Sequence, residues 1–167
     1  MNLIEELKNY CDINNPVGAL MLSGEWGCGK TYLIKTKFIP SVKDTYVFVC
    51  ISLFGIDSLD KLRVEVKKKW LEKASEFDSL NGTKVSRVAD SCRRIFDTIK
   101  DRLPENWQKK GEVVSSIMDL INFMPISNRM FEKKVILVFD DLERTNISCT
   151  DLLGCINDYC ENQGFNT

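Results

Sequence analysis

The chain has 167 residues, enough for one domain with a core of its own, and its 44 % hydrophobic and 28 % charged residues are those of an ordinary globular protein. A net charge of −1 excludes a general affinity for polyanions, so no direct nucleic-acid binding is expected outside a local patch. No run approaches the roughly 18 to 20 uncharged residues of a membrane span, and Met1-Asn2-Leu3-Ile4-Glu5-Glu6-Leu7 is acidic where a signal peptide would be cationic, so the expectation is a cytoplasmic protein with no membrane contact.

Residues 1–12 predict a helix with Leu3, Ile4, Leu7 and Cys11 on one face, broken by Asn14-Asn15-Pro16. The apolar run Ala19-Leu20-Met21-Leu22-Ser23 then predicts a buried strand. Gly24-Glu25-Trp26-Gly27-Cys28-Gly29-Lys30-Thr31 follows at once, and Tyr32-Leu33-Ile34 opens a helix carrying Lys35 and Lys37. The pattern G-x-x-x-x-G-K-[ST] between a strand and a helix is a phosphate loop. Its glycines permit positive φ and close approach to a ligand, and its backbone N–H groups form a nest at the positive end of the next helix. Gly24 to Tyr32 are therefore the predicted nucleotide-binding segment. Lys30 is expected to reach the β- and γ-phosphates, and the Thr31 hydroxyl to bind Mg²⁺.

Pro40 and Lys43-Asp44 predict a loop, and Tyr46-Val47-Phe48-Val49-Cys50-Ile51 a second apolar strand. Asp57, with Asp60 three residues on, predicts a helix N-cap. The helix that follows carries Leu59, Leu62, Val66, Trp70, Ala74 and Phe77 as an apolar stripe, and its Lys67-Lys68-Lys69 run reads as a solvated face. Asn81-Gly82 predicts a turn. Val85, Val88, Cys92, Ile95, Ile99 and Leu103 repeat with helical spacing up to Pro104, and a further helix is expected over about 112–124, before Pro125. The segment 81–130 thus reads as a helical insertion within one partial domain spanning 1–167, with core packing as the role of its apolar stripes.

Val135-Ile136-Leu137-Val138-Phe139 is an apolar run of the kind a parallel sheet buries on both faces, and Asp140-Asp141 closes it at the edge where ligands bind in open α/β sheets. Asp140 is the expected Walker B aspartate, holding Mg²⁺ through its water shell. Asp141 is placed to polarise the attacking water, and Glu143, with its longer reach, is the competing base. The chain has no histidine, which removes every Ser-His, Cys-His and His-metal mechanism and leaves carboxylates, Lys, Arg and a metal, a set suited to phosphoryl transfer. Its seven cysteines show no framework spacing and are expected as free thiols, with Cys149, Cys155 and Cys160 expected to be buried on a helix face. Cys28, inside the loop beside Lys30, is expected to be among the more reactive of them.

Trp26 in the loop, Ser52-Leu53-Phe54-Gly55 after the second strand, Phe139-Asp140-Asp141-Leu142-Glu143-Arg144, and Leu152-Leu153-Gly154-Cys155-Ile156-Asn157-Asp158-Tyr159-Cys160-Glu161 together resemble the KAP family of P-loop NTPases. The resemblance implies an α/β P-loop NTPase of three αβα layers with a mostly parallel sheet, incomplete here, and Mg²⁺ and ATP as cofactors. It implies ATP hydrolysis within a larger assembly, often one of anti-phage defence, with a protein partner or a second copy of the chain. The alternative is a nucleotide-binding switch or scaffold with little hydrolysis; a nucleic-acid-stimulated ATPase is disfavoured by the charge. This sequence departs from the family in having Cys28 where a small residue such as serine is common, and in lacking transmembrane helices between the two motifs.

The family resemblance also implies a further strand between the loop strand and the Walker B strand, whereas this sequence stops at Gly164-Phe165-Asn166-Thr167. Either the chain is a fragment, the preferred reading, or its two Walker strands lie side by side. Arg144 is expected to reach a neighbouring subunit or to pair with Glu143.

Overall fold

The computed structural model describes residues 2–81, 126–130 and 132–167, with the side chains of 77–81 outside the description. The chain divides into two units. One joins Met1–Leu62 to Ser127–Thr167, and the other is Arg63–Ile126. The expected insertion over 81–130 falls on residues outside the description for 82–125, while its last two residues form a short strand. Among the described residues no helix is long and apolar enough to cross a membrane.

In the first unit, α1 (Leu3–Asp12) is capped by Asn2, whose side chain accepts from the Ile4 N–H, and buries Leu7 and Cys11. Its C-terminal carbonyls, left without helical partners, are taken up by side chains from far along the chain. Lys134 Nζ donates to Cys11 O at 2.8 Å and also to Ile13 O, and Asn166 Nδ2 donates to Tyr10 O at 2.8 Å and to Ile13 O at 3.2 Å. The Tyr46 hydroxyl closes the same end by donating to Asp12. Burial pushes the Cys11 thiol up to about 12 and the Tyr10 hydroxyl up to about 12.

β1 (Tyr46–Ser52) pairs in parallel with β3 (Lys133–Asp140), Tyr46 opposite Lys134 and Ser52 opposite Asp140. The short β2 (Arg129–Met130) pairs antiparallel with the start of β3, giving the order β1-β3-β2. Side chains alternate across β1 and β3, and both sets are covered. Phe48, Tyr46 and Ile136 pack with Leu7, Cys11, Phe38 and Val42 in one core cluster. Phe139 instead meets Tyr159 of α5 (Cys149–Glu161), which in turn meets Phe165 edge-on. Val135 and Leu137 are fully buried, so truncating Leu137 to alanine would cost about 2–5 kcal/mol.

The helix after the phosphate loop is not uniform. α2 (Lys30–Tyr32) passes into a π-helical stretch, Leu33–Phe38, and then into α3 (Ile39–Val42). Pro40 therefore lies inside a helix rather than in the expected loop, which begins only at Lys43. Proline has no N–H to close the α-helical ladder, and the ladder has already widened ahead of it, with Ile39 N–H bonding to Ile34 O.

One further expectation is corrected. The cap of α4 (Leu59–Asn81) is Ser58, whose Oγ accepts from the Lys61 N–H at 3.4 Å; Asp57 instead forms an ion pair with Lys61 at 2.7 Å. The expected turn at Asn81-Gly82 lies outside the described residues from Gly82 onward. Leu62, Val66, Leu71 and Ala74 are buried on α4, and Lys68 and Lys69, both partly exposed, pair with Glu65 and Glu72.

Ala19 to Ser23 forms no strand, and Leu20 and Met21 are 44 % and 71 % exposed instead of buried. An apolar run becomes a strand only when a partner edge lies alongside. Here the contact is a single bond, Leu20 N–H to Thr167 O at 2.9 Å. Asn166 in turn bridges Ile136 in parallel, with Leu137 N–H donating to Asn166 O at 2.9 Å. Phe165-Asn166-Thr167 thus stands between β3 and the segment that leads into the loop, so the two Walker segments are not side by side.

Candidate nucleotide site

The loop begins at Gly24, where an added Cβ would meet Cys28 Sγ at 3.0 Å, so the close packing of the loop on itself favours glycine there. Gly27 and Gly29 have φ of 81° and 93°, in the left-handed region that a side chain rarely adopts. Open space surrounds both, as a loop that receives a ligand requires. Gly29 then starts the helix, its carbonyl accepting from the Leu33 N–H at 2.8 Å. Glu25, Trp26, Cys28 and Tyr32 are exposed around the rim, Trp26 by 80 %.

Lys30 Nζ is folded onto its own loop. It donates to Gly24 O at 2.8 Å and to Glu25 O at 3.1 Å and lies 4.0 Å from Cys28 Sγ.

The second half of the site arrives on β3. Thr31 Oγ1 donates to Asp140 Oδ1 at 3.0 Å, and Lys35 Nζ lies 3.2 Å from Asp140 Oδ2. A hydroxyl and a carboxylate at this separation fit adjacent positions around a hard divalent cation, either directly or through its water shell, so the residues expected to hold Mg²⁺ are brought together. Gly24, Gly29, Lys30, Thr31, Asp140 and Asp141 share the lining of a cleft of about 610 Å³, within the usual range for small-molecule sites.

Asp141 is the backbone special of the site, with φ 61° and ψ 40°, a left-handed conformation uncommon outside glycine and tolerated best by Asn and Asp. The turn carries the chain off β3 into a short 3₁₀ segment, Leu142–Arg144. The Asp141 carboxylate accepts from Ser52 Oγ at 2.9 Å through Oδ2, and Arg144 Nε lies 3.7 Å from Oδ1. Arg144 is thus held by Asp141, and it stacks over the Phe54 ring at 5.6 Å; the expected pairing with Glu143 does not form. Glu143 also lines the cleft and is exposed.

Two site residues escaped the sequence reading as such. Ser52 closes an apolar strand, and only the register that sets it opposite Asp140 shows that its hydroxyl reaches Asp141. Lys35 follows Thr31 by four residues, a spacing that puts both on one helix face, and this was the available signal. Of the cysteines, Cys11, Cys155 and Cys160 are buried, Cys50 is half-buried, Cys28 is exposed, Cys149 at the first turn of α5 is exposed instead of buried as expected, and Cys92 falls outside the described residues.

A family model described as the KAP family P-loop domain matches residues 2–166. No curated protein and no solved structure matches the chain.

Proposed function

Because the chain belongs to the KAP family of P-loop domains, we propose that it binds Mg-ATP in the cleft between the glycine loop and the end of β3, and hydrolyses it as part of a larger anti-phage defence or signalling ATPase. The observation that carries the reading is the 3.0 Å contact between Thr31 and Asp140, since only the fold unites these two halves of a metal site. A bound Mg²⁺ neutralises charge on the β- and γ-phosphate oxygens.

The chain's own groups do the rest. Backbone N–H groups of Gly27 to Thr31 receive phosphate oxygens, and Lys30 leaves the Gly24 and Glu25 carbonyls to pair with the terminal phosphates. Thr31 and Asp140 would hold the metal. Asp141, oriented by Ser52, accepts the proton of the attacking water, and Glu143 is the second candidate for that role. A protein partner or a second copy of the chain would receive the conformational output.

One observation favours a second reading, a nucleotide-dependent switch that turns over slowly. The Asp141 carboxylate is already engaged on both oxygens, by Ser52 and Arg144, which lowers its availability as a base. Steady-state phosphate release measured beside ATP affinity separates the two. Tight binding with turnover supports hydrolysis, tight binding without it supports the switch, and no binding defeats both.

A further inference from the structure

Asp140 has its two oxygens engaged by different partners. Oδ1 accepts from Thr31 Oγ1 at 3.0 Å and from the Asp141 N–H at 3.1 Å, and Oδ2 faces the Lys35 ammonium at 3.2 Å. Lys35 stands in the π-helical stretch that directly follows the loop helix, and π turns of this kind recur at functional sites. The loop lysine, Lys30, takes no part in this contact, being committed to the Gly24 and Glu25 carbonyls. Arg144, on the short 3₁₀ segment after β3, is committed to Asp141. Lys35 alone among the described cations is paired with Asp140, and it does so where a divalent ion would place its charge.

We propose that Lys35 is a positioning residue that acts as a built-in counter-cation. It neutralises Asp140 and holds it against Thr31 until a divalent metal arrives, and the metal then displaces the ammonium. Metal binding at this site is therefore an exchange of one cation for another. The inference rests on the metal role assigned above to Thr31 and Asp140. Lys35 and Asp140 are 50 % and 23 % exposed at their side chains, so the pair is of the solvated kind whose coupling changes an equilibrium by about two- to fivefold and weakens with salt.

The test is Mn²⁺ binding followed by electron paramagnetic resonance on the full chain, with Mn²⁺ alone and with Mn²⁺ plus ADP. Exchange predicts that Lys35→Met binds Mn²⁺ about two- to fivefold more tightly than the wild type, that Lys35→Arg matches the wild type, and that the gain shrinks at high KCl. A side chain that merely supports the helix would weaken binding when lost, without salt dependence. Should the methionine variant fail to fold, Lys35→Gln makes the same comparison. Equal or weaker Mn²⁺ binding in the neutral variant overturns the inference, as does an absence of Mn²⁺ binding in both proteins. If ADP fails to bind the wild type, the nucleotide reading falls, and the arm with Mn²⁺ alone still decides the role of Lys35.

Discussion

Thr31 Oγ1 and Asp140 Oδ1 lie 3.0 Å apart although 109 positions separate them in the chain. Thr31 is carried by the first helical turn after the glycine loop, and Asp140 ends the strand that pairs in parallel with β1. Neither element depends on the other for its local structure, so their meeting reports the fold as a whole. The metal role proposed for both residues rests on that one contact.

Cys28 gives the simplest probe of the loop. It is exposed, packs against Gly24, and lies beside the Lys30 ammonium. An alkylating reagent should label it quickly in the free protein and slowly at saturating Mg-ATP, because bound phosphates cover the loop. Cys149, exposed and at the start of α5, serves as the internal reference. Peptide mass mapping reads both, and unchanged Cys28 labelling with nucleotide present would mean that the loop does not hold phosphate.

The acidic groups separate by role. Asp141→Asn should keep Mg-ATP affinity and lower turnover by about a hundredfold or more, the scale of a lost general base. Asp140→Asn should also raise the Mg²⁺ concentration needed for half-maximal binding. Ser52→Ala, which removes the 2.9 Å bond to Asp141, should lower turnover by less and leave affinity unchanged. If Glu143→Gln stops turnover and Asp141→Asn does not, the base is Glu143.

Stability should depend on alkaline pH through Cys11. Its thiol is pushed up from 9.0 to about 12 by burial, so the folded chain retains a proton that the unfolded chain loses. The unfolded state binds fewer protons above pH 9, and stability therefore falls as pH rises through that window toward 12. Denaturation at pH 8 and pH 10 should show the wild type losing about 1 kcal/mol more than Cys11→Ala between the two values. Parallel losses in the two proteins would remove Cys11 from the account.

Both Walker segments were legible in the sequence because each is a local pattern, a glycine loop opening a helix and an apolar strand ending in carboxylates. β1, α1 and β3 were legible for the same reason. What failed depends on partners. Ala19 to Ser23 carries the composition of a strand, yet composition cannot supply the neighbouring edge, and the Leu20 N–H reaches the Thr167 carbonyl instead of a strand. The role of Ser52 depends on a register, Ser52 opposite Asp140, that no local pattern encodes. Ser58 displaced Asp57 as the cap of α4 by one position, a choice that Lys61 decides by pairing with Asp57. Asn166, fully buried, would not be singled out by type, but it joins α1 to β3 by binding the carbonyls of Tyr10 and Ile13.

The central claim is that Gly24 to Thr31 receive the phosphates of a nucleotide, with Lys30 as the cation that meets them. Calorimetric titration of Mg-ATP into the wild type and Lys30→Ala tests it most directly. Saturable binding to one site is expected in the wild type, with affinity at least about tenfold weaker in the variant, the loss that follows when a charge-assisted hydrogen bond is removed. Equal affinity in the two proteins would contradict it.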